Sequence, residues 1–407
     1  MTLLVIFVVL IFAYALISGI VERGRLTAPI VFTVAGALSQ FLVVGETQDS
    51  LGADVFLTIA ELGLVLLLFT DGSRIAYNFK GFLLSVPGRL LSTGMVLTIA
   101  LGMVAALLLF GKLTIWEAGI LAAVLAPTDA GLGQPIVTNP KVPQRIREGL
   151  NIEAGLNDGL AVPFLLFFMA MASQADEASF SRFFVEQFGY GVLIGLVVGR
   201  IGSELYAAAV NRGWLQHDYR QLGFAALPIM CMLISHATGA SMFIAAFVGG
   251  LAVRRKRPEG IISESVKFIE DWGQLINLAV FFLFGLLAAR AWPDLQVVHF
   301  VYAALSLTVV RMVPVAISMK GLRLAPTTLA FMGWFGPRGL ASIVLGLVYI
   351  EHGSSQELVR MCIVATVLLS IVLHGMTARY GADLYAAQVE KMPPDAAEKA
   401  PASQGHT

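Results

Sequence analysis

Between Ala126 and Pro163 the chain places three carboxylates and an amide among residues that otherwise read as membrane interior. The first segment, A-P-T-D-A, carries Thr128 and Asp129. After a short basic connector comes N-I-E-A-G-L-N-D-G-L-A-V-P, carrying Glu153, Asn157 and Asp158. An ionisable side chain at that depth costs about 2.5–3.5 kcal/mol even on the lenient insertion scale, and so marks function by default. Hard monovalent cations such as Na+ and Li+ take oxygen ligands, which carboxylates, the Thr128 hydroxyl and opened backbone carbonyls supply. Desolvation and a second acid nearby both favour a protonated carboxyl. The sequence assigns Asp129 and Asp158 no cationic partner, so the expected chemistry is a site where a small cation and a proton take turns.

Glu153 and Asn157 are four residues apart and share a helix face, while Asp158 lies about 100° further round. If Glu153 stays ionised it needs a positive partner, and Arg338 and Arg311 are the candidates inside apolar segments. The expected arrangement is a neutral structural knot of Glu153, Asn157 and Arg338. Such a pair adds little net stability, but losing one partner strands a buried charge at about 3–5 kcal/mol.

The elements that must hold these groups are membrane helices. Of 407 residues, 57% are hydrophobic and 13% charged, about half the charged share of a soluble domain. Mean hydropathy is +0.80. The formal net charge of zero gives no reason to expect nucleic acid as a partner. The fold class read here is an all-α polytopic membrane protein, with about thirteen transmembrane helices and inverted repeats containing two crossed, interrupted helices around Pro127 and Pro337. The spans fall near 2–20, 27–44, 53–70, 86–110, 114–136, 149–173, 184–209, 219–236, 239–253, 268–290, 297–319, 324–349 and 358–382. The ninth is short and the tenth opens on charges, so either could be re-entrant or tilted. The apolar start lacks a basic flank and a cleavage site, and reads as an uncleaved first span. Cys231 and Cys362 sit inside apolar runs, with neither disulfide nor metal-ligand spacing.

Basic residues alternate between connections. Arg23 and Arg25, then Arg74, Lys80 and Arg89, then Lys141, Arg145 and Arg147 follow the first, third and fifth spans. Arg200, Arg212 and Arg220 surround the seventh connection, Arg254–Arg257 follow the ninth span, and Lys320 and Arg323 the eleventh. The positive-inside rule makes this set cytoplasmic, with the N-terminus outside, the C-terminus inside and an odd number of spans. Residues 1–385 then form one transmembrane unit. The Pro-, Ala- and charge-rich tail 386–407 is expected to be a disordered cytoplasmic segment.

Spans five and twelve are interrupted in the same way. Pro127 precedes Thr128-Asp129, and Gly336-Pro337-Arg338-Gly339 carries an arginine where the first break has an aspartate. Proline removes a backbone donor and clashes with the carbonyl four residues back. Pro127 alone would be compatible with a simple kink. Two charged, proline-broken spans in corresponding halves point instead to a midplane binding site. Other polar residues say less. Glu61 fits a helix contact or an ion path, Asp71 an end cap or funnel charge, His374 a packed or interfacial histidine ahead of a pH sensor, and Arg254–Arg257 a topology signal with anionic lipid contact.

These motifs, T-D at Thr128-Asp129, E-x-x-x-N-D at Glu153, Asn157 and Asp158, and G-x-R-G at Gly336, Arg338 and Gly339, resemble those of the monovalent cation/proton antiporters of the bacterial NhaP and animal sodium/hydrogen exchanger type. S-x-x-x-H-G-x-T at Ser370, His374, Gly375 and Thr377 adds weaker support. The resemblance covers almost the whole chain. It implies a homodimer in the cytoplasmic (inner) membrane, each protomer pairing a six-helix core around 53–173 and 268–382, which moves as an elevator, with a dimerisation scaffold of the remaining helices. It makes Asp158 the carrier, assigns Asp129 and Thr128 to the helix crossing, and makes the Glu–Asn–Arg set structural. The asparagine before the aspartate implies electroneutral exchange. No cofactor is implied beyond the transported Na+ and H+. Relatives often have serine where this chain has Ala154, so a hydroxyl ligand is missing. A sodium-coupled symporter of an organic anion, an ion channel or sensor, and a membrane-embedded enzyme are the rival readings. The first lacks polar residues for its substrate, the second an output domain, and the third an H-E-x-x-H or Ser–His arrangement.

Overall fold

A computed structural model describes residues 2–21, 26–42, 53–74, 79–173, 177–253, 259–351 and 356–399. Arg23, Arg25, the Arg254–Arg257 run and residues 400–407 lie outside the described residues. Among those described there are helices and connections and no strand. That is what apolar segments of this length must form in lipid, where a backbone can satisfy its own polar groups only as a helix or a closed barrel.

Nine described helices are long and apolar enough to cross a bilayer, and four shorter apolar helices accompany them. Each of the thirteen predicted spans overlaps one of these, most with ends shifted by a few residues. The predicted ninth span is the short helix Met242–Ala252, and the tenth belongs to Glu259–Ala291. The predicted fifth span is divided into Ile115–Val124 and Ala130–Val137, and the twelfth into Pro326–Trp334 and Leu340–Glu351. The eleventh, read as continuous, is also divided: Thr308 takes a non-helical conformation between Val297–Leu307 and Val309–Ser318.

The chain forms two compact units. The first comprises 1–56, 78–157 and 278–407, and the second 57–77 and 158–277. In the second unit the helices Gly191–Asn211, His217–Thr238 and Met242–Ala252 pack together. Phe69 meets Phe224 edge-on, and Arg74 pairs with Glu270. Asp71 lies within electrostatic reach of that pair. The first unit holds both divided spans. Its last helix, Glu357–Glu390, packs along Val297–Leu307, Ile115–Val124 and Ala130–Val137. At one end of this unit Ile136, Val142, Ile146, Val315, Phe331, Phe335, Tyr385 and Val389 close an apolar cluster, with the Phe331 and Tyr385 rings stacked.

The tail departs from expectation. Residues 386–390 continue the last helix, and Ala397–Lys399 form a short 3-10 turn. Glu398 is buried, and its Oε1 accepts from the Ala325 amide at 2.7 Å and from the Thr328 hydroxyl at 2.9 Å. Arg145 donates to the Ala397 carbonyl at 2.7 Å. Composition counts apolar surface, and this strap is held instead by a carboxylate capping the exposed amides at the start of Pro326–Trp334.

Replacing Glu398 with alanine should cost about 1–2 kcal/mol, the value of a lost helix cap. Thermal melting of the detergent-solubilised protein should move down accordingly, and Glu398→Gln, which keeps an acceptor, should recover much of the difference.

Candidate ion-binding site

The first break runs through Ala126, Pro127 and Thr128 to Asp129, which caps the half-helix Ala130–Val137: its Oδ1 accepts from the Leu132 amide at 2.8 Å. The second break runs from Phe335 to Gly339. The two face each other and exchange bonds. The Asp129 amide donates to the Pro337 carbonyl at 2.7 Å, and Asp129 Oδ2 accepts from the Leu340 amide, also at 2.7 Å. Leu340 opens the half-helix Leu340–Glu351, so one carboxylate caps two helix N-termini, its own and its neighbour's. Both present partial positive charge, which is why an aspartate without a cationic partner is tolerated here.

The arginine of the second break completes the exchange. Arg338, fully buried, donates through Nη1 to the carbonyls of Ala126 and of Pro127, the latter at 2.8 Å. Those carbonyls are the acceptors left open where Ile115–Val124 ends, the negative pole of that half-helix. Ser342 donates to the Val124 carbonyl at 2.8 Å. Anion on N-termini and cation on C-terminal carbonyls make the crossing electrostatically complementary.

The glycines flanking Pro337-Arg338 are explained by close approach. A Cβ on Gly339 would lie 2.2 Å from Asp129 Oδ2, and one on Gly336 would lie 2.4 Å from Arg311 Nε. Under the second break Arg311 forms a two-pronged ion pair with Glu153, at 2.5 and 2.8 Å, both side chains nearly inaccessible. This corrects the expected knot. Glu153 pairs with Arg311, not with Arg338, because the guanidinium of Arg338 is engaged by the open carbonyls of the first break. Asn157 is likewise not bonded to Arg338. Its Nδ2 donates to Thr128 Oγ1 at 2.7 Å, joining the helix Gln144–Ala172 to the first break. Its Oδ1 is buried and takes no hydrogen bond from a described residue.

Thr128, Asp129, Ala130, Asn151, Ala154 and Pro337 line a small cavity against the crossing. About 20 Å³ of it is open to the centre of a water-sized sphere, enough for about one water. A guest there would be a single water or a largely dehydrated ion. Ala154 forms part of the wall where a serine would have added a hydroxyl. Asp158, one residue beyond Asn157 in the same helix, is buried and is the first residue of the second unit. Thus Thr128, Asp129, Asn157 and Arg338 are brought together in the first unit, and Glu153 lies with Arg311. Sequence reasoning weighed Arg311 but did not select it, and it missed Ser342. An arginine within an apolar span, three residues before Pro314, was the available signal for Arg311.

Comparisons with known proteins agree with this architecture. The family described as "Sodium/hydrogen exchanger, transmembrane" matches residues 7–380. A protein of Schizosaccharomyces pombe named "Probable Na(+)/H(+) antiporter" is 25% identical over 59% of this chain and 33% of its own length. The "K(+)/H(+) antiporter NhaP2" of Shewanella sp. (strain MR-4) is 24% identical over 87% of this chain and 63% of its own. The chain therefore spans less than two thirds of these relatives. Among solved structures, the sodium proton antiporter MjNhaP1 of Methanocaldococcus jannaschii superposes with a TM-score of 0.70 at 15% identity, covering 96% of this chain and 99% of that one. At that identity the match speaks to the fold.

Two substitutions test the site's construction. Arg311→Ala strands Glu153 and should cost about 3–5 kcal/mol; adding Glu153→Leu should restore part of the lost melting temperature. An unchanged melting temperature in the single variant would show that the pair does not form. Gly339→Ala drives a methyl into the Asp129 carboxylate and should cost about 1–3 kcal/mol of overpacking, read in the same melts.

Proposed function

Because the chain belongs to the sodium/hydrogen exchanger family, we propose that it is a secondary antiporter exchanging a monovalent cation, Na+ first, for a proton. The exchange is one for one and therefore electroneutral. The observation that carries the reading is the pair of reciprocally capped breaks beside a cavity of single-ion size, with Thr128 and Asp129 among its lining residues. Asp158 is the exchanging group and holds either a proton or the cation. The Asp129 oxygens each accept one amide and keep a further lone pair. Asp129 therefore fixes the crossing first and contributes to the cation second, with Thr128 beside it. Glu153, Asn157, Arg311 and Arg338 are structural.

The mechanism follows from desolvation. A bare carboxylate in a poorly solvated site is strongly disfavoured, whereas a protonated or cation-bound one is neutral. Only the loaded form changes its access from one side to the other, which makes cation and proton compete for one passage. Binding energy alone moves nothing; the gradients set which ion occupies the site on each side, and net exchange runs down them. In this reading the core helices around 53–173 and 268–382 carry the site. The remaining helices hold a homodimer in the cytoplasmic membrane, with the N-terminus outside.

The printed names of the relatives include both Na+ and K+ exchange, and the cation is settled by one experiment. Everted vesicles carrying a pH-sensitive dye are energised and given NaCl, LiCl or KCl. Dequenching by NaCl is the expected result, and dequenching by KCl alone would reassign the ion. Asp158→Asn should abolish the response, while Asp129→Asn should lower both it and the amount of folded protein. No response to any salt from acidic to alkaline pH would overturn the proposal.

A further inference from the structure

The last long helix, Glu357–Glu390, carries polar residues whose partners lie in the second divided span; Tyr385 meets Thr328 there, and three others bond at its break. Ser370 Oγ accepts from the Arg338 amide at 2.6 Å. His374 Nε2 is 2.8 Å from the Trp334 carbonyl, which can only accept, so Nε2 carries the proton. Nδ1 lies 3.1 Å from both the Ser370 hydroxyl and the Ser370 carbonyl; in a neutral ring protonated at Nε2 it accepts from the hydroxyl. Thr377 Oγ1 accepts from the Trp334 indole at 3.1 Å, and the Trp334 and His374 rings lie 5.3 Å apart. The chain of bonds thus runs from the Arg338 amide to Ser370, from Ser370 to His374, and from His374 back to Trp334, closing across the open backbone.

The ordinary use of a hydroxyl inside a helix is to bond the carbonyl one turn back. Thr366 and Thr377 of this helix do so, each at 2.7 Å to Cys362 and Leu373. Ser370 instead spends its oxygen on a neighbour's amide. Ser370 and His374 are both buried, and they serve two backbone groups that the division of a helix leaves open, an amide and a carbonyl.

We propose that Ser370 and His374 are positioning residues for the ion site. They fix the backbone of the second break, so that Arg338 reaches the Ala126 and Pro127 carbonyls while Leu340 and Pro337 engage Asp129. They touch no transported ion; they act through Arg338 and the crossing. The functional half of this inference rests on the antiporter reading, and the geometric half does not.

The test therefore has two arms on the full chain. In nanodiscs, amide hydrogen exchange is measured for wild type, Ser370→Ala, Ser370→Thr, His374→Phe and His374→Gln. Ser370→Ala and His374→Phe should speed exchange on the order of tenfold in peptides over 334–341, the effect of one lost buried hydrogen bond. Peptides over 126–132 should follow, and threonine and glutamine should restore much of the protection. Faster exchange confined to 334–341, spread evenly through the helices of the second unit, or seen nowhere would each overturn the proposal. In everted vesicles with matched protein amounts, Ser370→Ala should raise the half-maximal cation concentration about threefold to tenfold while the maximal response is kept, and Ser370→Thr should reverse it. A loss of maximal response at unchanged half-saturation would mark a merely structural role. A wild type silent to every salt would remove the antiporter reading alone, because the exchange arm still decides the positioning.

Discussion

A helix opened inside an apolar medium exposes amides and carbonyls that water cannot reach, and everything around this site answers that constraint. The answer is reciprocal. Asp129 of one break caps the amide ends beside both breaks, and Arg338 of the other takes up the carbonyls that the first leaves open. Neither charge has a side-chain counterion in these bonds; each is balanced by helix ends of opposite sign. The arrangement uses both breaks at once: without the second, Asp129 would keep only its own helix end, and without the first, Arg338 would lose its carbonyls.

A second layer of charge lies underneath. Arg311 and Glu153 neutralise each other directly, and Gly336 passes so close to the guanidinium that no side chain fits. Charge in this unit is therefore sorted by function: one pair closed on itself, and one aspartate and one arginine spread over backbone. Asn157 links the two regions through Thr128 and keeps a buried carbonyl oxygen available beside them. A crossing neutral in this way can sit in the membrane interior.

The supports reach well beyond the crossing. The half-helix Pro326–Trp334 is held at its start by Glu398 from the strap and at its end by His374 and Thr377 from the last helix. Arg145, in the first turn of the helix that carries Glu153 and Asn157, is tied to the same strap. Half-helices of eight to twelve residues are too short to be stable alone, so their ends are fixed from outside.

Much of this was legible in the residues. Twenty-residue apolar runs mean membrane helices, since a spanning backbone has no other way to pair its polar groups, and the prolines at 127 and 337 mark where two of them open. Motif chemistry singled out Thr128, Asp129 and Asp158 for the ion and Glu153, Asn157 and Arg338 for a structural network, whereas the folded chain joins Asn157 to Thr128 and Arg338 to the first break. What tertiary structure alone decided was partnership. Glu153 had two arginines within reach of sequence reasoning, and the choice of Arg311 depended on where Arg338 was already committed. The strap defeated composition for the same reason: one glutamate finding an open helix end outweighs a shortage of apolar residues. Sequence period and hydropathy report what each segment requires from its surroundings, whereas the identity of the group that meets the requirement is set by long-range contacts, which no local pattern encodes.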